Sequence, residues 1–235
     1  MKRVSLTLLA AVTIGNAAAA QDFESSQLSF DIYRYDQDGD YNSTFATVQG
    51  DASYFLSGQI GTQIGISGTT QMAKSDGFPD IDTEYALSVH GFYDLNRATR
   101  LGLLIGTDTA DGTDTLFALE GIYLADGFRL EGRLGQADEA TLVQAKVNAA
   151  ISGRFGGQAS FKRVDYGDGD GYFSVASLGA TYDLNDAMSG YVTFGSTTND
   201  FGGGVSDDGT RLGIGGTIAF GGGLNPKLFT YNPGY

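Results

Sequence analysis

The sequence predicts an all-β protein, an antiparallel up-and-down transmembrane β-barrel of about twelve strands. Three observations carry that prediction. Apolar residues alternate with small or polar ones along segment after segment, the period of strands with one apolar face. One hairpin phrase occurs twice, as Gly91-Phe92-Tyr93-Asp94-Leu95-Asn96 and as Gly179-Ala180-Thr181-Tyr182-Asp183-Leu184-Asn185. The segments between strands sort into a short, weakly charged set and a longer, acidic set, as expected of periplasmic turns and extracellular loops.

Residues 1–20 stand outside this pattern. Lys2 and Arg3 precede the apolar stretch Val4–Ile14, and Ala18-Ala19-Ala20 precedes Gln21. This is the layout of a secretory signal peptide. Its removal takes two of the 14 basic residues and none of the 28 acidic ones, moving the formal charge from −14 to −16. Beyond it, no apolar run approaches the roughly 18 residues of a spanning helix. With no Cys, an exported disulfide scaffold is excluded. The acidity argues against nucleic acid as a partner. At 41% hydrophobic and 12% aromatic residues, the chain has ample surface to bury and is not expected to be disordered. The remaining rival, a soluble β-sandwich, has no reason to sort its connections by length onto two ends.

The elements follow in order. Strand one, near 27–35, sets Leu28, Phe30 and Ile32 against Ser29, Asp31 and Tyr33. After an acidic loop at 36–42, a strand at 43–54 sets Ala46 and Val48 against Phe45, Thr47, Gln49 and Asp51. A turn at Phe55–Ser57 leads to 58–70, where Ile60, Ile64 and Ile66 oppose Gln59, Gln63 and Ser67; the loop 71–83 follows. Tyr85, Leu87 and Val89 oppose Glu84, Ser88 and His90, and past the first phrase Leu101, Leu103 and Ile105 oppose Arg100, Gly102 and Gly106. Beyond 108–113, Phe117 and Leu119 oppose Ala118 and Glu120; after Ala125-Asp126-Gly127, Leu130 and Leu134 oppose Arg129, Glu131 and Arg133. Past 138–140, Val143 and Val147 oppose Gln144 and Lys146, and Phe155, Ala159 and Phe161 oppose Gln158, Ser160 and Lys162. A loop at 165–171, a strand at 172–182, the second phrase, a loop at 199–209 and a last strand bearing Leu212, Ile214, Ile218 and Phe220 complete the barrel. In both phrases Asp and Asn are the residues that close tight turns by bonding nearby backbone, and the Tyr suits a lipid–water boundary.

The signal peptide, the Tyr-Asp-Leu-Asn turns and the Gly-rich aromatic strands resemble small porin-type outer-membrane proteins of Gram-negative bacteria. The segment Gly215-Gly216-Thr217-Ile218-Ala219-Phe220 is similar to that family's closing strand. The resemblance covers most of 27–220 and implies a barrel domain at 21–220, in the bacterial outer membrane. The family usually stops at the closing aromatic, whereas this chain continues as an extension, 221–235, with Pro226 and Pro233. Outer-membrane lipid, lipopolysaccharide and the barrel-assembly machinery are the partners implied, with the choice of monomer or homo-oligomer left open.

Candidate pore-lining residues are Asp31, Gln49, His90, Glu120, Arg129, Glu131, Arg133, Lys146 and Lys162. Arg129, Arg133, Lys146 and Lys162 form a basic strip over adjacent strands, the charge pattern by which narrow pores select solutes. The expected function is passive diffusion of small hydrophilic solutes, with no reaction and no cofactor. A closed structural barrel is the alternative, its Glu120 and Glu131 paired with Arg133 and Lys146, its acidic loops bridged to lipopolysaccharide by Mg²⁺ or Ca²⁺. A barrel enzyme acting on lipid is the third reading: Ser88 and the only histidine, His90, share a face. A triad needs a third, orienting group, and the neighbouring sequence offers none. Asp36-x-Asp38-Gly39-Asp40 begins like a calcium loop but has Thr47 where the bidentate Glu belongs, so no metal site is expected.

Overall fold

A computed structural model describes residues 23–37, 41–76, 80–108, 114–167, 170–203, 206–221 and 228–229. The signal-peptide segment 1–20 lies outside these residues, as do Asp38–Asp40 and most of the extension. The strands are β1 (Phe23–Gln37), β2 (Tyr41–Ser57), β3 (Ile60–Lys74), β4 (Glu84–Asp94), β5 (Thr99–Asp108) and β6 (Asp114–Ala125). They continue as β7 (Phe128–Ala137), β8 (Ala140–Ser152), β9 (Phe155–Asp165), β10 (Tyr172–Asn185), β11 (Met188–Asp200) and β12 (Ser206–Phe220). Each pairs antiparallel with its sequence neighbours, and β1 pairs with β12, from Ser26 opposite Phe220 to Gln37 opposite Gly209. The barrel is closed and has no free edge.

Its polarity is inverted relative to a soluble protein. Phe30, Leu87, Leu103, Phe117, Leu119, Phe194, Leu212 and Ile214 all stand exposed on the outside. Ser, Thr, Gln, Asp, Glu, Arg and His share the buried positions on the inside with aromatic and aliphatic clusters such as Tyr33, Phe92 and Leu104. Such an exterior is suited to hydrocarbon, where the closed ladder also satisfies every strand's backbone groups. Tyr93, Tyr123 and Tyr182 are exposed on the outer face near one end, where their hydroxyls reach the headgroup level.

The two halves of the hairpin phrase build the same turn. Asn96 Oδ1 accepts hydrogen bonds from the Ala98 and Thr99 amides at 2.8 and 2.9 Å, and Asn185 Oδ1 accepts from the Ala187 amide at 2.8 Å. The turns 58–59, 95–98, 126–127, 153–154 and 186–187 lie at the end that also holds Phe23 and Phe220; the other end carries connections as long as 75–83, together with the short ones at 38–40 and 138–139.

Strand ends differ from the sequence reading. β2 runs on through Ser57, and the turn is Gly58-Gln59, with Gly58 at φ +53°. Strands β11 and β12 consume most of the expected loop 199–209, leaving 201–205; the loop 36–42 shrinks to 38–40, and 138–140 becomes a two-residue turn at 138–139. Acidic and glycine residues mark where the chain leaves lipid, while ladder hydrogen bonds continue past that level. In the turn 138–139, Asp138 takes φ 46°, a left-handed geometry that Asp tolerates better than most residues.

This topology predicts protease access. With the short turns facing the periplasm, a broad-specificity protease added to intact cells cuts within 75–83 and spares 95–98, as read by mass spectrometry of the fragments. Cleavage at 95–98 from outside reverses the orientation.

Candidate functional site

The interior divides into a filled wall and an open one. The filled wall runs over β2 to β8. Gln49 Nε2 donates to Asp51 Oδ2 at 2.8 Å, and Gln63 Nε2 reaches Asp51 Oδ1 at 3.2 Å. Two strands further on, His90 Nδ1 lies 2.6 Å from Glu120 Oε2, and the other oxygen of Glu120 accepts from Arg133 Nε at 2.6 Å. Arg133 also donates to Gln144 Oε1 at 3.2 Å. Glu120 reaches His90 diagonally across β5, whose interior residues there are Gly102, opposite Glu120, and Leu104, opposite His90. Glu131 pairs with Arg129 at 3.1 Å. Buried charges held in this way are mutually satisfied, and removing one member leaves the others costly.

At the short-turn mouth a second cluster spans the lumen. Arg100, 0% exposed, donates to Asp94 Oδ1 at 2.7 Å and to Glu24 Oε1 at 2.8 Å, and lies 3.6 Å over the Phe92 ring. Glu24 stands on β1, four strands away in the wall, so the guanidinium ties β1 to β5 through the interior.

The open wall is formed by β8 to β12 and β1. Here a cavity of about 130 Å³ is lined by Lys146, Lys162, Tyr191 and Arg211, and a cavity of about 350 Å³ opens toward the short-turn end past Arg129, Asn148 and Asp183. The two share Lys146, Gln158 and Tyr191. Arg211 is anchored by Asp31 Oδ2 at 3.0 Å and lies 4.3 Å from the Tyr33 ring centre. On the loop side, Tyr33, Tyr35, Phe45 and Phe173 pack into an aromatic cluster that narrows the lumen.

The nine residues picked from the sequence thus all face the interior, but they separate. Gln49, His90, Glu120 and Arg133 belong to the filled wall, while Arg129 and Glu131, paired with each other, also border the larger cavity. Asp31, Lys146 and Lys162 line the open cavity. The expected basic strip is divided, because Arg129 and Arg133 are neutralised by Glu131 and Glu120. Lys146 has no hydrogen bond or salt bridge among the described residues, and Glu131 takes Arg129 rather than Lys146 as its salt-bridge partner.

The expectation that His90 lacks an orienting group is overturned: Glu120 supplies one, and His90 Nε2 lies 3.1 Å from Ser88 Oγ. The group comes from β6, two strands away, which sequence proximity could not reveal. Ser88 is nevertheless fully buried, and a Cβ at Gly65 would fall 2.5 Å from its hydroxyl. The three side chains form a buried hydrogen-bond chain. Among the described residues, no cluster of three or more His, Asp or Glu is arranged to hold a metal ion.

Sequence reasoning put Gln63, Arg100 and Gln158 on inward faces without choosing them as candidates, and did not name Tyr191, Arg211 or the extension residue Phe229. A long polar or cationic side chain at an inward strand position was the available signal for the first five.

No protein-family model matches the chain, and no curated protein matches it. Solved structures do. The KdgM porin is 12% identical, with a TM-score of 0.52, over 82% of this chain and 99% of that one. The CymD monoaromatic hydrocarbon channel is 9% identical, with a TM-score of 0.54, over 90% and 93%. An outer-membrane channel from Pseudomonas putida is 11% identical, with a TM-score of 0.59, over 84% and 96%. At these identities the likeness is one of fold, and the fold is that of outer-membrane channels.

Proposed function

We propose that the chain is a bacterial outer-membrane channel passing small hydrophilic solutes by passive diffusion, with a preference for small anions. The observation that carries this reading is the pair of polar cavities meeting at Lys146, Gln158 and Tyr191. A path along β8–β12 would pass this point, where the ammonium of Lys146 faces the space. In a narrow, partly dehydrated passage a fixed positive charge favours anions and repels cations. The narrow space of about 130 Å³ beside Lys146 suits small solutes. The acidic outer loops oppose this preference only within a Debye length of about 8 Å at physiological salt.

A closed barrel stabilising the envelope is the second reading, favoured by the packed wall from Gln49 to Gln144. In it the acidic loops share divalent cations with lipopolysaccharide. Planar-bilayer recording separates the two. The channel reading predicts a small, steady conductance whose reversal potential in a KCl gradient shows anion preference. Lys146→Glu shifts that potential toward cations and lowers chloride current several-fold. Silence from both the full chain and a chain ending at Gly221 overturns the channel and favours the closed barrel.

A further inference from the structure

We propose that the interior wall of β3 to β7 carries a peptide-binding site whose ligand is the chain's own extension, and that residues 228–229 seated there form a plug in the short-turn mouth. The plug's effect on flow rests on the channel reading; the binding itself does not.

Phe229 lies nine residues beyond the last strand and is 0% exposed inside the barrel. Three different chemistries hold it. Gln63 grips the backbone at two points: its amide nitrogen donates to the Phe229 carbonyl at 2.7 Å, and its amide oxygen accepts from the Phe229 N–H at 2.8 Å. A side-chain amide here does for one residue what a neighbouring strand does for many, and it recognises a peptide backbone. The ring stacks on His90, with centroids 5.6 Å apart and planes 5° from parallel, and packs with Phe92 and Ile122. It also rests on bare backbone at Gly102, where a Cβ would come within 2.6 Å of its atoms. Arg129 donates to the carbonyl of Leu228. The site therefore fits an extended peptide in which an aliphatic residue precedes an aromatic one.

The receptor residues come from five strands, β3 to β7, and three of them are themselves held in place: His90 by Glu120, Gln63 by Asp51, Arg129 by Glu131. Such bracing sets the site before the tail arrives, which is the condition for specific rather than adhesive contact. A tail leaving this seat exposes Gln63 and Arg129 to lumen water, which can replace the lost hydrogen bonds, so the seat can open without breaking the ladder. Beside it lies the larger cavity, which also uses Arg129, so an emptied seat widens the same mouth.

The test uses the full chain carrying Phe229→Ala, which vacates the ring seat, and a fluorescent synthetic peptide of residues 222–235. The peptide is expected to bind this barrel saturably by fluorescence anisotropy, and at least ten-fold more weakly to wild type, whose own tail competes. Adding Gly102→Ala to the vacated barrel fills the ring's resting place and abolishes binding, as does Phe229→Ala in the peptide. In bilayers Phe229→Ala raises conductance two-fold or more, and the peptide returns it to the wild-type level. Should Phe229→Ala fail to assemble, the chain ending at Gly221 serves as receptor. Peptide that does not bind, or that binds equally with Ala at 229, overturns the site. Binding without any conductance keeps the site and sinks the channel; higher conductance that the peptide neither binds nor blocks does the reverse.

Discussion

Replacing Arg100 with Met weakens the barrel by about 3–5 kcal/mol, the scale expected when one member of a buried ionic cluster is removed and its partners stay behind. Met keeps much of the apolar contact with Phe92 that the guanidinium makes at 3.6 Å. It leaves the carboxylates of Asp94 and Glu24 facing each other across the short-turn mouth with no shared cation. Those carboxylates are side-chain exposed by only 13% and 20%, so water can rescue them only in part. Because Glu24 belongs to β1 and Asp94 to β4, the loss falls on the tie between β1 and the β4–β5 hairpin as well as on local packing. Urea titration in micelles, followed by tryptophan-free Tyr fluorescence or circular dichroism, reads the change as a lower midpoint. Arg100→Lys is expected to recover less than half, since one ammonium cannot fork toward both acids as a guanidinium does. A midpoint unmoved by Arg100→Met shows that the cluster adds nothing to stability.

The architecture was legible because lipid imposes a simple demand. Every outward residue at membrane depth must be apolar, so Leu87, Leu103, Leu119, Leu212 and their neighbours write the strand period directly into the sequence. Strand ends were less legible, because above the apolar band polar residues such as Asp200 and Ser206 continue the ladder without changing its hydrogen bonds. Facing was readable but pairing was not. Glu120 meets His90 only through the register of β4, β5 and β6. Which of Arg133 and Lys146 faces open space also depends on the neighbours that satisfy Arg133. Phe229 lay wholly beyond such reasoning: it follows no strand period, and its partners stand far earlier in the chain, Gln63 by 166 positions and Arg129, which holds the neighbouring Leu228, by 99.

Leu103→Arg is the substitution with the clearest consequence for membrane residence. Leu103 stands 63% exposed on the outer face, halfway along β5, between the exterior side chains Leu101 and Ile105. An arginine there must place its guanidinium in hydrocarbon or bend it a long way toward a headgroup, at about 2–4 kcal/mol near the midplane of such barrels. Nothing in the ladder offsets this, because the outward neighbours across the strands are Gly91 on β4 and Leu119 on β5's other side, neither of which can accept a hydrogen bond from it through a side chain. The inner face behaves differently. Asn148 borders the cavity of about 350 Å³ and has room and water for a guanidinium, so Asn148→Arg assembles normally. Folding yield into lipid vesicles, scored by the heat-dependent shift of folded barrel on a gel, is expected to fall steeply for Leu103→Arg and to stay near wild type for Asn148→Arg. A soluble sandwich would accept arginine at an exposed position 103 without loss. Equal yields from both variants would therefore contradict the placement of this face against lipid.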